Sequence, residues 1–134
     1  MLENKSALVV DDDAHCLVAL SSLLRDLGIS FKRNTTGANV SEQLRSMTPP
    51  PDFILLDIDL SNGEAFGINQ RIQSDPLLRG IPVIALSSLQ DFTLRQKLQR
   101  AGFAAFVPKP IPRRHFSEIL DHVLSAGQDW EAAI

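Results

Sequence analysis

A single cysteine and no tyrosine occur in 134 residues. Cys16 cannot close an internal disulfide, and no set of Cys and His has zinc-ligand spacing, which excludes a disulfide scaffold and a zinc module. Such cysteine usage suits a reducing compartment. No stretch approaches the roughly 18 uninterrupted apolar residues of a membrane span. The opening Met1-Leu2-Glu3-Asn4-Lys5 reaches a carboxylate before any apolar run, unlike a secretory leader. A soluble, cytoplasmic domain without membrane contact is therefore expected. Basic charge is also in short supply: 13 Lys+Arg against 16 Asp+Glu give a net charge of −3 and a pI near 5.5. Direct nucleic-acid binding is disfavoured by that balance. No internal repeat is present, and the Pro49-Pro50-Pro51 run is the one low-complexity segment.

What the chain does contain is a core. With 44% hydrophobic and 22% charged residues and a mean hydropathy of +0.01, it can form one compact domain. Short apolar runs at Ala7 to Val10, Phe53 to Leu56, Pro82 to Leu86 and Ala104 to Val107, with a more polar one at Ile29 to Lys32, alternate with amphipathic stretches. The runs read as strands covered on both faces, with the polar one at an edge. Leu17, Leu20, Leu24 and Leu27 recur at helical spacing and Gly28 stops the helix. Further helices are expected over Asn39 to Ser46, Phe66 to Ser74, Leu89 to Ala101 and His115 to Ala126. Five alternating strand-helix units predict a doubly wound α/β fold with a parallel sheet. Residues 1–126 are expected to form the domain and 127–134 a C-terminal tail or the start of a linker, with Trp130 covering an apolar patch.

Ligands of such sheets bind beyond the carboxyl ends of the strands. Those ends carry Asp11, Asp12 and Asp13, then Asp57 and Asp59, then Ser87 and Ser88, and last Lys109. The intervals from Asp12 to Asp57, to Ser87 and to Lys109 fit two, one and one strand-helix units, which puts them on one rim. Two carboxylates about 5 Å apart at an effective dielectric near 20 repel by roughly 3 kcal/mol, so a cation is implied. Oxygen ligands alone point to Mg²⁺ (or Mn²⁺). Lys109 and the Ser87 hydroxyl suit a phosphoryl group beside that metal, and a carboxylate such as Asp57 can accept one as an acyl phosphate. Taken singly, each group has a plainer use. Asp11 and Asp12 serve equally well as turn or capping residues, Asp13 as a helix cap, Ser87 as a cap and Lys109-Pro110 as a solvated turn. His15, His115 and His122 are assigned no chemistry.

The segments Ala7-Leu8-Val9-Val10-Asp11-Asp12-Asp13, Pro51-Asp52-Phe53-Ile54-Leu55-Leu56-Asp57, Ile81-Pro82-Val83-Ile84-Ala85-Leu86-Ser87 and Phe106-Val107-Pro108-Lys109-Pro110 occur in this order. In this the chain resembles the receiver domains of two-component response regulators. The resemblance implies a flavodoxin-like (βα)5 fold with strand order 2-1-3-4-5. It also implies Asp57 as phosphoacceptor and catalytic nucleophile, with Mg²⁺ on Asp11, Asp12, Asp57 and the backbone carbonyl of Asp59. Ser87 and Lys109 would bind phosphate, Lys109 would share in catalysis, the Lys109-Pro110 bond would be cis, and Phe106 would be the switch aromatic.

A histidine kinase or histidine phosphotransfer protein would be the donor. A downstream protein would read the face of the fourth helix, fifth strand and fifth helix, a face also compatible with a weak homodimer. The domain would catalyse only its own phosphorylation and dephosphorylation. Two places depart from the family pattern: Ser61 stands where Pro is usual and Ala65 where Gly is usual. Those departures keep a phosphorylation-independent interaction module as a second reading. A haloacid-dehalogenase-like phosphatase is a third, suggested by Asp57-Ile58-Asp59-Leu60-Ser61 but opposed by the early Asp11-Asp12 pair and the lack of room for a cap.

Overall fold

The computed structural model describes residues 2–89 and 91–130. Five strands alternate with five helices: β1 (Ser6–Val10), α1 (Ala14–Asp26), β2 (Ser30–Asn34), α2 (Val40–Ser46), β3 (Phe53–Asp57), α3 (Ala65–Ser74), β4 (Val83–Ser87), α4 (Phe92–Arg100), β5 (Ala105–Pro108) and α5 (Arg113–Ala126). All pairings are parallel and the strand order is β2-β1-β3-β4-β5, the order expected. The apolar runs became strands because they can be covered twice. Alternate residues of each central strand face opposite layers. Ala7, Val9, Phe53, Leu55, Ile84 and Leu86 pack against α1 and α5, while Leu8, Val10, Ile54, Leu56, Val83 and Ala85 pack against α2, α3 and α4.

Several boundaries moved. β2 runs two residues beyond Lys32, through Arg33 and Asn34, because pairing with β1 carries a polar edge segment that has no apolar signal of its own. α4 starts at Phe92, not Leu89, since Asp91 caps it by accepting from the Leu94 N–H at 2.7 Å. α5 starts two residues before His115, with Pro112 at its N-cap. Asp91→Ala is expected to cost about 1 kcal/mol of stability and to speed amide exchange in the first turn of α4, which hydrogen exchange would register. α4 is sensitive to its cap because Leu98 is its one fully buried side chain.

Residues 127–130, expected as a tail, are packed. The Asp129 N–H donates to the Ala104 carbonyl at 2.8 Å, forming a parallel bridge beside β5. Asp129 also pairs with His122 Nδ1 at 3.0 Å. The Arg95 guanidinium donates to the Trp130 carbonyl, and the Trp130 side chain packs on the α2–α3–α4 core layer. The rest of the expected tail, 131–134, lies outside the described residues. Among the described residues no helix is long and apolar enough to cross a membrane.

Candidate functional site

The sheet register brings the acidic residues together. Val10 pairs with Leu56, so the next residues, Asp11 and Asp57, emerge side by side at the carboxyl ends of β1 and β3. Ser87 ends β4 opposite Pro108, which delivers Lys109 to the same rim. Backbone amides fix these side chains. The Asp13 N–H donates to Asp11 Oδ1 at 2.9 Å, the Asp59 N–H to Asp57 Oδ1 at 2.9 Å, and the Ser61 N–H to Asp12 Oδ2 at 2.9 Å. Lys109 Nζ lies 3.1 Å from Asp57 Oδ1 and 3.4 Å from Asp11 Oδ2. Its peptide bond to Pro110 is cis, as the resemblance implied. An open cleft of about 510 Å³ exposes the group to solvent, with Asp12, Asp57, Asp59, Ser88 and Lys109 in its wall.

Burial dominates the electrostatics. Asp57 is 1% exposed, and desolvation lifts its carboxyl to about 6; the neighbouring Asp11 charge adds to that, while the Asp59 amide and Lys109 oppose it. Burial also works against the Lys109 ammonium, but its contacts with Asp57 and Asp11 outweigh this and leave its pKa above the ordinary lysine value. Asp12 is lowered, first by hydrogen bonding from Ser61. Cys16, at the edge of the cleft, is pushed up to about 12 by burial and by Asp11, so its thiol is a poor nucleophile.

Carboxylate oxygens of Asp11, Asp12 and Asp57 lie within 4.8 Å of one another. Asp11 Oδ2 is buried and accepts no hydrogen bond; the Lys109 ammonium at 3.4 Å is its ion-pair partner. A buried anionic oxygen left this way, beside two more hard oxygen donors, fits a hydrated divalent cation such as Mg²⁺.

Asp11, Asp12, Asp57 and Lys109 come together on one rim, and Ser87 reaches the Asp59 carboxylate beside them. Phe106 is 2% exposed and packed inward on the α2–α3–α4 side, and Leu89 is exposed beyond β4. Sequence reasoning missed three features. Ser61 holds Asp12 with its side chain and with its N–H, neither of which a proline would supply. Cys16 is inert but touches the cluster. The Asp59 carboxylate, expected to matter through its carbonyl, faces Ser87 and Ser88. The chain marked Ser61 and Asp59 as residues of interest, but which distant group each one meets depends on how the strands and loops come together, and residue type does not record that.

A parallel doubly wound sheet whose carboxyl rim carries two buried carboxylates, Asp11 and Asp57, a more exposed third, Asp12, and a lysine defines the class of domain. The sequence model of the response regulator receiver domain matches residues 7–121, and the chain belongs to that family, the receiver module of two-component signalling. The chain is 27% identical over 120 residues to the polar-differentiation response regulator DivK of Brucella ovis, covering 90% of this chain and 96% of that one. It is similar to a response regulator receiver protein from Burkholderia phymatum, with a TM-score of 0.77 at 27% identity, covering 91% and 96% of the two chains. The receiver domain of sensor histidine kinase PA1611 from Pseudomonas aeruginosa PAO1, solved with a magnesium ion coordinated in its active-site cleft, shares the fold. Its TM-score is 0.80 at 22% identity over 91% and 98% of the chains.

Proposed function

We propose that this receiver takes a phosphoryl group from the phosphohistidine of a histidine kinase or phosphotransfer protein onto Asp57, in the cytoplasm, and passes the signal on by a change of shape. The observation that carries this reading is the contact of Lys109 with both Asp57 and Asp11 in a cluster where carboxylate oxygens of Asp11, Asp12 and Asp57 lie within 4.8 Å of one another. An Asp57 carboxylate oxygen attacks phosphorus, the phosphorus–nitrogen bond to the donor imidazole breaks, and the leaving imidazole takes up a proton. Asp11, Asp12, Asp57 and the Asp59 carbonyl would hold Mg²⁺. Bound there, Mg²⁺ screens the carboxylates from the incoming phosphate and stabilises the charge that develops in transfer. Lys109 pairs with the transferred group, and water later hydrolyses the acyl phosphate.

The DivK relative and the magnesium-bound receiver support this reading, each by likeness. The output follows from differential contact: Ser87 is drawn toward the phosphoryl group, and Phe106 shifts beneath the α4–β5–α5 face, where a downstream protein docks. Lacking a phenolic hydroxyl, Phe106 signals by ring position alone.

Incubation with a small acyl-phosphate donor, followed by intact-mass measurement, tests the chemistry. A phosphoryl adduct that requires Mg²⁺, is alkali-labile and is absent from Asp57→Asn is expected. A domain that forms no adduct while binding its partners equally well as Asp57→Asn would be a phosphorylation-independent module.

A further inference from the structure

Three donors converge on the Asp59 carboxylate. Ser87 Oγ lies 3.4 Å from each of its oxygens, while the Ser88 N–H and the Ser88 hydroxyl reach Oδ2 at 3.2 and 3.3 Å. Two hydroxyls and a backbone amide turned to one point at the end of β4 make an anion site, and the anion beside them is a side chain of the chain itself. Ser87 Oγ already accepts from the Leu89 N–H at 3.1 Å, so its single proton can serve one anion at a time. The Ser88 N–H has the same limit. All the contacts are longer than the roughly 2.5–3.0 Å of tight bonds to carboxylate, and the Asp59 residue is exposed, so it is held loosely and can swing out.

We propose that the Asp59 carboxylate is an internal anion that occupies the Ser87–Ser88 donors in the resting domain and competes with the phosphoryl group for them. It rests on the reading of Asp57 as phosphoacceptor. Asp59 is then a positioning residue with two effects of the same sign. It ties up the proton of the switch hydroxyl, and it adds a fourth carboxylate to a rim whose Lys109 ammonium is turned to Asp57 and Asp11. Phosphorylation has to expel it, and its return pulls Ser87 back when the phosphate is lost.

Beryllium fluoride, a phosphoryl stand-in, would be titrated into wild type and Asp59→Asn at saturating Mg²⁺, with the Ser88 and Leu89 amide resonances as readout. Asn keeps the size and a neutral acceptor but loses the charge. The variant is expected to bind roughly three- to tenfold more tightly at low ionic strength, with the advantage falling below about twofold near 0.5 M salt. The Ser88 amide should also be shifted in the variant before any ligand is added. A merely structural role would not produce the salt dependence. Equal or weaker binding by Asp59→Asn, where wild type binds, overturns the competition and leaves the phosphoacceptor reading standing. Failure of wild type itself to bind overturns both.

Discussion

Asp57→Asn is expected to unfold at a higher temperature than wild type near pH 7.5 in the absence of divalent metal, even though it removes the residue on which function depends. In the folded protein the Asp57 carboxyl titrates at about 6 against an ordinary 3.8, because burial and Asp11 disfavour its charged form. A folded-state value raised above the unfolded one contributes stability that is fully present below about pH 4 and is lost as the pH rises through about 6. At neutral pH the wild type carries that loss, partly offset by Lys109, and the amide does not. A gain on the order of 1–2 kcal/mol, or several degrees in Tm, is expected. The gap should shrink near pH 5, where wild-type Asp57 takes up its proton. Mg²⁺ should reverse the order by stabilising wild type more than the variant, through mass action on the folded state. Thermal unfolding at the two pH values, with and without Mg²⁺, checks all three signs. A variant less stable than wild type at pH 7.5 without metal contradicts the account.

Lys109→Met is expected to move two quantities in opposite directions. The ammonium sits 3.1 Å from Asp57 and 3.4 Å from Asp11, and Lys109 is 14% exposed, so its charge acts on both with little screening. It opposes a divalent cation in the same cluster, so without it Mg²⁺ should bind about tenfold more tightly. It also meets the charge of the transferring phosphoryl group, so uptake from an acyl-phosphate donor should slow by about 10²-fold or more, in line with the loss of one buried transition-state donor. Mg²⁺ titration followed by amide shifts, alongside the time course of adduct formation by mass, separates the two. Lys109→Arg keeps the charge with a wider head group and should fall between them. If Mg²⁺ binding and phosphoryl uptake weaken together, Lys109 supports the architecture of the site and not its electrostatics.

The layered sheet was legible because its cause is local. Val9, Leu55 and Ile84 on one parity, and Leu8, Ile54 and Val83 on the other, need apolar cover on both faces, which helices between parallel strands supply. The order of acidic, hydroxyl and basic residues at the strand ends was legible for the same reason, since each follows its strand directly. β2 was only half legible: Lys32 and Arg33 lie at a solvated edge, where pairing with β1 and not hydrophobicity defines the strand.

By itself, then, the sequence determined the fold class, the strand ends and the residue types that meet there, because hydrophobic period and strand-end position are properties of short segments. The tertiary structure alone decided that the Ser61 amide holds Asp12, that Asp59 faces Ser87 and Ser88, that Cys16 is buried beside Asp11, and that Asp129 and Trp130 pack against β5 and α4. Each of those contacts joins distant parts of the chain, some through backbone groups that every residue carries. Their energies depend on distance and burial, which no residue type encodes.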